Sequence, residues 1–223
     1  MWLFNSSIGR KVIMSVTGIC LILFLTFHMA MNVVALFSKE GYNMICELLG
    51  ANWYAVVATL GLAALAVIHI VYAFILTIRN RAARGSERYA VTEKPGKVEW
   101  ASQNMLVLGI IVIIGLLMHL KDFWAKMMLT ELTGCGDMSR VTDGAYWIQE
   151  TFSNGIYVVF YLVWLAALWF HLAHGFWSAL QTLGLNGKKW FTRWKVIGIA
   201  YVTCLCGGFA AVVVWYYINS LCC

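Results

Sequence analysis

Charge is what this chain has least of. Asp, Glu, Lys and Arg make up 12% of its 223 residues, whereas 62% are hydrophobic. Soluble domains carry roughly 25% charged and about 45–50% apolar residues, so a soluble globular class is excluded. Proline occurs once, at Pro95, so the apolar runs lack the interruptions that mark the broken helices of transporters. The seven cysteines form no C-x-x-C pair and no C-x-x-C-H. That removes covalent c-type haem attachment and the usual zinc and iron–sulfur spacings. Cys20, Cys204 and Cys206 read as small apolar packing residues. No acidic residue follows Glu150. The net charge of +6 comes from basic residues that bracket apolar runs rather than forming a face of their own. They read as topology signals, not as a nucleic-acid surface.

What is present is a set of long apolar runs. Spanning about 30 Å of hydrocarbon takes roughly 20 helical residues. Five segments qualify: Val12–Phe37, Ala51–Ile78, about Trp100–Leu120, about 153–182 within the uncharged stretch Thr151–Gly187, and Val196–Leu221. Backbone groups in lipid must be satisfied internally, so these runs predict helices and an all-α membrane protein with a single membrane domain over 1–223. Arg10 and Lys11 precede 26 uncharged residues, too long for a cleaved signal peptide. Twelve of the sixteen basic residues fall in the N-terminal segment, in Arg79–Val98 (Arg79, Arg81, Arg84, Arg88, Lys94, Lys97), or just after the fourth run (Lys188, Lys189, Arg193, Lys195). Only Lys39, Lys121, Lys126 and Arg140 lie on the other side. This asymmetry predicts a cytoplasmic N-terminus and an external C-terminus. Trp53, Trp100, Trp124 and Trp190 sit near span ends, where an aromatic belt belongs.

All five histidines, His28, His69, His119, His171 and His174, lie in or at the edge of these runs. An ionisable ring in hydrocarbon is costly and points to function. Counted from the basic side, His28 lies at about 24 Å and His119 at about 28 Å, whereas His69 lies at about 14 Å and His171 at about 16 Å. His28 and His119 therefore share an outer layer, and His69 and His171 an inner one. Each layer draws one histidine from each of two helices, the supply for two bis-histidine haems in a helical bundle. Zinc is the runner-up metal, but layers roughly 10–15 Å apart do not make one tetrahedral site. Gly115, one turn before His119, would leave room for a flat macrocycle, and Gly18, Gly61 and Gly175 would relieve crowding or serve helix contacts. His171 and His174 compete for one role, since at i and i+3 they differ by about 60° in direction.

SSIGRKVIMSVTGICLILFLTFHMAMN (Ser6–Asn32) and HLAHGFWSALQTLGLNGKKW (His171–Trp190) resemble the cytochrome b membrane subunit of bacterial succinate dehydrogenase and fumarate reductase. The likeness is to its five-helix, di-haem form, and it extends over essentially the whole chain. It implies two haems b, with axial ligands His28 and His119 for the outer iron and His69 and His171 for the inner iron. The family's fourth ligand stands four residues before a glycine followed by a large apolar and an aromatic residue, a pattern that falls on His171 before Gly175, Phe176 and Trp177. His174 is the alternative. The resemblance further implies a flavoprotein subunit and an iron–sulfur subunit anchored on the cytoplasmic face of the bacterial inner membrane. The chain would carry electrons between menaquinone or menaquinol and the iron–sulfur subunit, without succinate or fumarate chemistry of its own. It leaves room for two such three-subunit complexes per assembly.

Quinol oxidation releases protons, so a carboxylate near the outer layer is the expected base. Glu47 is the first candidate, with Glu40 and Asp122 behind it, among outer-side acids that include Glu131, Asp137, Asp143 and Glu150. Some relatives carry a glutamate two residues before the fourth ligand; here Trp169 stands there, which argues against that proton path. Ser15, Arg79 and Trp100 are candidate contacts for haem propionates. Two rivals remain at this level. One is the cytochrome b subunit of a hydrogenase or formate dehydrogenase. The other is a haem-less transporter or assembly factor whose histidines relay protons.

Overall fold

The computed structural model describes residues 6–84, 100–185 and 187–222, which are helical with no strand among them. α1 (Ser7–Val33) ends in a 3-10 turn, and α2 (Lys39–Leu48) is a short helix beyond it. α3 (Trp53–Arg84) follows, then one turn at Trp100–Gln103 and α4 (Met105–His119). α4 continues through a π-helical stretch, Leu120–Leu129, and a last turn, Thr130–Thr133. The short α5 (Gly144–Phe152) precedes α6 (Gly155–Thr182) and α7 (Lys188–Leu221). Among the described residues five helices are long and apolar enough to cross a membrane: α1, α3, α4 with its extension, α6 and α7.

Side-chain caps set where several helices begin. The oxygens of Ser6, Ser38, Asp143 and Asn154 accept hydrogen bonds from the backbone N–H groups of Gly9, Gly41, Tyr146 and Ile156, opening α1, α2, α5 and α6. Each satisfies a first-turn donor that the helix itself cannot. Three spans run further than their uncharged cores predict. α3 extends to Arg84, α7 begins at Lys188, and the third span continues to Thr133 rather than ending near Leu120. The reason is that charge stops a membrane core but not a helix. Arg79, Arg81, Lys189, Arg193 and Lys195 therefore sit on helix ends rather than in loops. Past Leu120 the charges are matched, Lys126 donating to Glu150 at 2.8 Å and Lys121 to Asp122 at 3.1 Å. Arg88, Lys94, Lys97 and Cys223 lie outside the described residues.

Neighbouring side chains fix the directions of the spans. Arg10 shares a cavity with Arg79, and Thr17 meets His69, so α1 and α3 are antiparallel. Gly109 lies beside His171 while His119 lies beside Trp164, so α4 and α6 are antiparallel. Trp169 bonds Thr203 and Trp177 packs on Phe191, which makes α6 and α7 antiparallel. α7 runs parallel to α1: Thr26 bonds Tyr201, and the Tyr216 hydroxyl donates to the Ala35 carbonyl at 3.2 Å. α6 is the hub, packing on α1, α4 and α7, and α3 rests chiefly on α1. The core is built from α6 and α7, with Tyr161, Leu165, Leu168, Val202, Leu205 and Tyr216 buried.

The glycines divide by what lies over them. The space over Gly115 is not left for a flat ring: it is taken by the Trp164 indole, whose N–H donates to the Val112 carbonyl at 3.1 Å. A methyl group there would overlap the indole. Gly18 meets a histidine, since an added Cβ would stand 3.2 Å from Cε1 of His69. Gly61 and Gly175 face open space. Gly115→Ala is therefore expected to displace Trp164 and destabilise the bundle by about 1–3 kcal/mol. Gly61→Ala should be neutral or stabilising by up to about 1 kcal/mol, because it only improves helix propensity. Thermal unfolding in detergent, followed by tryptophan fluorescence, checks the contrast.

Candidate functional site

Four of the five histidines meet in two pairs. The rings of His28 (α1) and His119 (α4) have centroids 5.7 Å apart at an interplanar angle of 85°. Those of His69 (α3) and His171 (α6) are 6.5 Å apart at 68°. With metal–imidazole nitrogen bonds of about 2 Å on either side of one ion, two ring centroids would stand roughly 6 Å apart, so both pairs have the separation of two axial ligands. His174 takes no part in either pair. Its ring packs edge-on against Trp177 at 4.9 Å, one turn nearer the basic end.

The pairs occupy separate layers. On α1, Thr17 marks the inner layer and His28 the outer, eleven residues or about 16 Å apart. On α4, Gly109 lies beside His171 and His119 follows ten residues later, about 15 Å along. On α6, Trp164 touches His119 and His171 follows seven residues later, about 10 Å along. Two two-donor sites at that spacing cannot collapse into one. Among the described residues no group of three or more His, Cys, Asp or Glu is placed to hold a metal ion.

The inner pair is oriented from α1. Nδ1 of His69 lies 3.1 Å from Oγ1 of Thr17, and the Thr17 hydroxyl has the Ile13 carbonyl, at 2.9 Å, as its own acceptor. With Nδ1–H donating to Thr17, the neutral ring presents Nε2 as its free acceptor, the arrangement by which proteins set the tautomer of a ligating histidine. Gly18 permits the approach. Nδ1 of His171 is buried without a protein partner, and so is Nδ1 of His119. Buried polar atoms are ordinarily hydrogen-bonded. The donor chemistry of both pairs, imidazole beside imidazole, suits haem iron.

The outer pair sits in an aromatic shell. Phe24 stacks on His28 at 5.4 Å and Phe209 closes from α7 at 5.6 Å. Phe123, Trp164 and Tyr161 surround His119 at 5.1, 5.9 and 6.4 Å. The Asn32 amide donates to the His28 carbonyl at 2.8 Å and accepts from the Tyr42 hydroxyl at 3.2 Å, tying this layer to α2. Burial pushes the Tyr42 phenol well above its usual range, so it stays a neutral donor, and burial likewise raises the Cys46 thiol beside it to about 11.

The acids are ordered differently from the sequence-based expectation. Glu47 and Glu40 are exposed, and Glu40 accepts from Ser38 at 3.2 Å. Asp122 is 3% exposed and accepts from the Tyr161 hydroxyl at 3.0 Å, one helical turn beyond His119 and inside its aromatic shell. Glu131 is structural, accepting from the Ala51 N–H at 2.9 Å to fix the connection into α3. Asp143 bridges α2 and α5 through Asn43 at 2.8 Å. Asp137 and Arg140 form an exposed pair, and Glu150 pairs with Lys126. Trp169 donates to Thr203 at 2.9 Å and so staples α6 to α7.

Of the candidate propionate contacts, Ser15 is buried on α1, Arg79 is exposed at the end of α3, and the exposed Trp100 packs against Phe170 at 5.3 Å. Thr17, Asn32 and Tyr161 are not singled out by the sequence and become visible only through their partners. Comparison of the chain with family models, curated proteins and solved structures gives no match.

Asp122→Ala should cost about 1–3 kcal/mol, since it strands the buried Tyr161 hydroxyl, and Asp122→Asn should cost less because an acceptor remains. Thermal unfolding by near-UV circular dichroism distinguishes this from a solvated charge, for which both variants would match the wild type.

Proposed function

We propose that the chain is the di-haem cytochrome b subunit of a succinate:quinone or quinol:fumarate oxidoreductase in a bacterial cytoplasmic membrane. In this reading it anchors a flavoprotein and an iron–sulfur subunit and exchanges electrons with menaquinone or menaquinol. The observation that carries the reading is the supply of two facing imidazole pairs by four different helices, in two layers of one bundle. The resemblance of Ser6–Asn32 and His171–Trp190 to that family supports it. The asymmetry of basic residues supports a cytoplasmic position for the end bearing Arg10, Arg79 and Lys189, where the partner subunits would dock.

Haem b, when bound, supplies reversible one-electron chemistry within the membrane. His28 and His119 would hold the outer iron, and His69 and His171 the inner. By accepting from Nδ1–H of His69, Thr17 would leave Nε2 free to hold the iron, and Gly18 gives the ring its space. The aromatic shell of His119 excludes water from the outer layer. Asp122 is the carboxylate we assign to accept the proton released by a quinol there, in preference to Glu47, because it is buried beside that layer with Tyr161 donating to it. Trp169, held by Thr203, offers no proton-carrying group in α6.

The purified chain should contain two b haems by the pyridine haemochrome assay. His28→Ala and His119→Ala should each remove the outer haem, and His69→Ala and His171→Ala the inner, whereas His174→Ala should retain both. Thr17→Val should weaken retention of the inner haem by roughly 10–100-fold. A protein that stays colourless with full haem supply overturns the proposal. Co-purification with hydrogenase or formate dehydrogenase subunits, instead of a flavoprotein and an iron–sulfur protein, overturns the assignment of the complex.

A further inference from the structure

Directly after His119, α4 widens into its π-helical stretch, a form found frequently at functional sites, and two consecutive charged residues there reach α6. The first is Lys121 and the second Asp122, which is 3% exposed and whose two oxygens have different partners. Oδ2 accepts from the buried Tyr161 hydroxyl at 3.0 Å, and the Tyr161 ring lies 6.4 Å from that of His119. Oδ1 lies 3.1 Å from Nζ of Lys121, a side chain that is 57% exposed. Lys121 also donates to the Tyr157 hydroxyl at 3.2 Å, one turn of α6 before Tyr161. A continuous line of polar contacts thus runs from the aromatic shell of His119 to an exposed ammonium. Tyr157 is in the first turn of α6, and Gly155 beside it meets Tyr217 near the end of α7. Lys121 therefore stands at the end of the bundle opposite Arg10 and Arg79, where a long cationic side chain can reach water. The nearby Lys126 and Glu150 pair with each other at 2.8 Å.

We propose that Tyr161, Asp122 and Lys121 form the proton exit of the outer layer, with Tyr161 passing quinol protons to Asp122 and Lys121, tethered by Tyr157, acting as the positioning residue at the surface. This rests on the reading of the chain as a quinol-reacting cytochrome b. As a quinol O–H bond breaks, its proton goes to the Tyr161 oxygen while the Tyr161 proton goes to Oδ2, so the phenol ends as it began and the carboxylate becomes a carboxylic acid. The carboxyl then turns about its Cβ–Cγ bond, presents the proton on the Lys121 side and loses it to water. The ammonium takes up the freed carboxylate again, which resets the group. The second quinol proton follows the same route, and the two electrons leave singly to the haem of that layer. A carboxylate held by a donor on each oxygen, one buried and one exposed, is suited to this turn, because each end state keeps a partner.

Stopped-flow reduction of the haem-loaded full chain by a menaquinol, beside its reduction by dithionite, tests this, because dithionite delivers electrons with no quinol proton to remove. Asp122→Asn should slow reduction by menaquinol about 100-fold, the ordinary worth of a general base. Tyr161→Phe should slow it at least about tenfold, and Lys121→Gln about tenfold, the worth of one charge-assisted contact. Lys121→Arg, which keeps a charged donor for Oδ1, should recover most of the rate, and Tyr157→Phe should fall between the wild type and Lys121→Gln. Lys126→Gln removes the same charge from the neighbouring pair and should react as the wild type does. All of these variants should keep two haems and their dithionite reduction. Wild-type rates with menaquinol in Asp122→Asn would overturn the exit alone. So would equal slowing in Lys126→Gln and Lys121→Gln, or loss of haem or of dithionite reduction in Lys121→Gln, which would make Lys121 structural. A wild-type chain that holds haem and is reduced by dithionite but not by menaquinol would overturn the quinol reading itself, and the exit with it.

Discussion

A polar ring inside hydrocarbon has to be given something to bind, and the arrangement of this bundle follows from that constraint. His28, His69, His119 and His171 lie in spans whose neighbours are almost wholly apolar, where an unsatisfied polar group costs several kcal/mol. The protein satisfies little of this demand itself. Thr17 bonds a ring nitrogen of His69 and Asn32 lies 3.5 Å from one of His28, whereas Nδ1 of both His119 and His171 is left without a protein partner. What the fold does instead is bring the rings together in pairs, each from two helices. A pair of neutral imidazoles facing one another is a poor structural contact and a good axial ligand set.

The rest of the chain can be understood as holding those pairs in position. α6 is the hub because it carries His171 and also the indole that packs beside His119, with Trp164 seated over Gly115. α7 contributes no histidine. It closes the outer layer with Phe209, staples α6 through Thr203, and ties off α1 through Tyr216. The short helices α2 and α5 lock the outer end through Asn43 and Asp143, and Tyr42 passes that rigidity to Asn32 beside His28. Buried polar contacts of this kind specify register more than they add stability.

Much of this is legible in the sequence, for identifiable reasons. The five spans can be read because lipid permits one kind of uncharged segment, the helix. The pairing of His28 with His119 and of His69 with His171 can be read because a fixed rise per residue converts chain position into depth. Helix ends are harder. The extension of the third span to Thr133 depends on Lys126 finding Glu150 and Asp122 finding Tyr161, partners 24 and 39 residues away. The same distance hides the burial of Asp122, which reads as an ordinary loop acid behind Glu47. Gly115 reads from the sequence as room for a cofactor, and that reading fails because room for an indole looks the same until the facing helix is placed. Thr17 is an unremarkable hydroxyl in an apolar run until α3 is laid against it.

The central claim is that each histidine pair shares one iron. Low-temperature electron paramagnetic resonance of the oxidised wild-type chain addresses it directly, because it reports the axial ligands of each ferric haem. The account predicts two distinct low-spin species, both with bis-imidazole ligation. A high-spin ferric signal, a single low-spin species at full haem loading, or ligation by anything other than two imidazoles would contradict it.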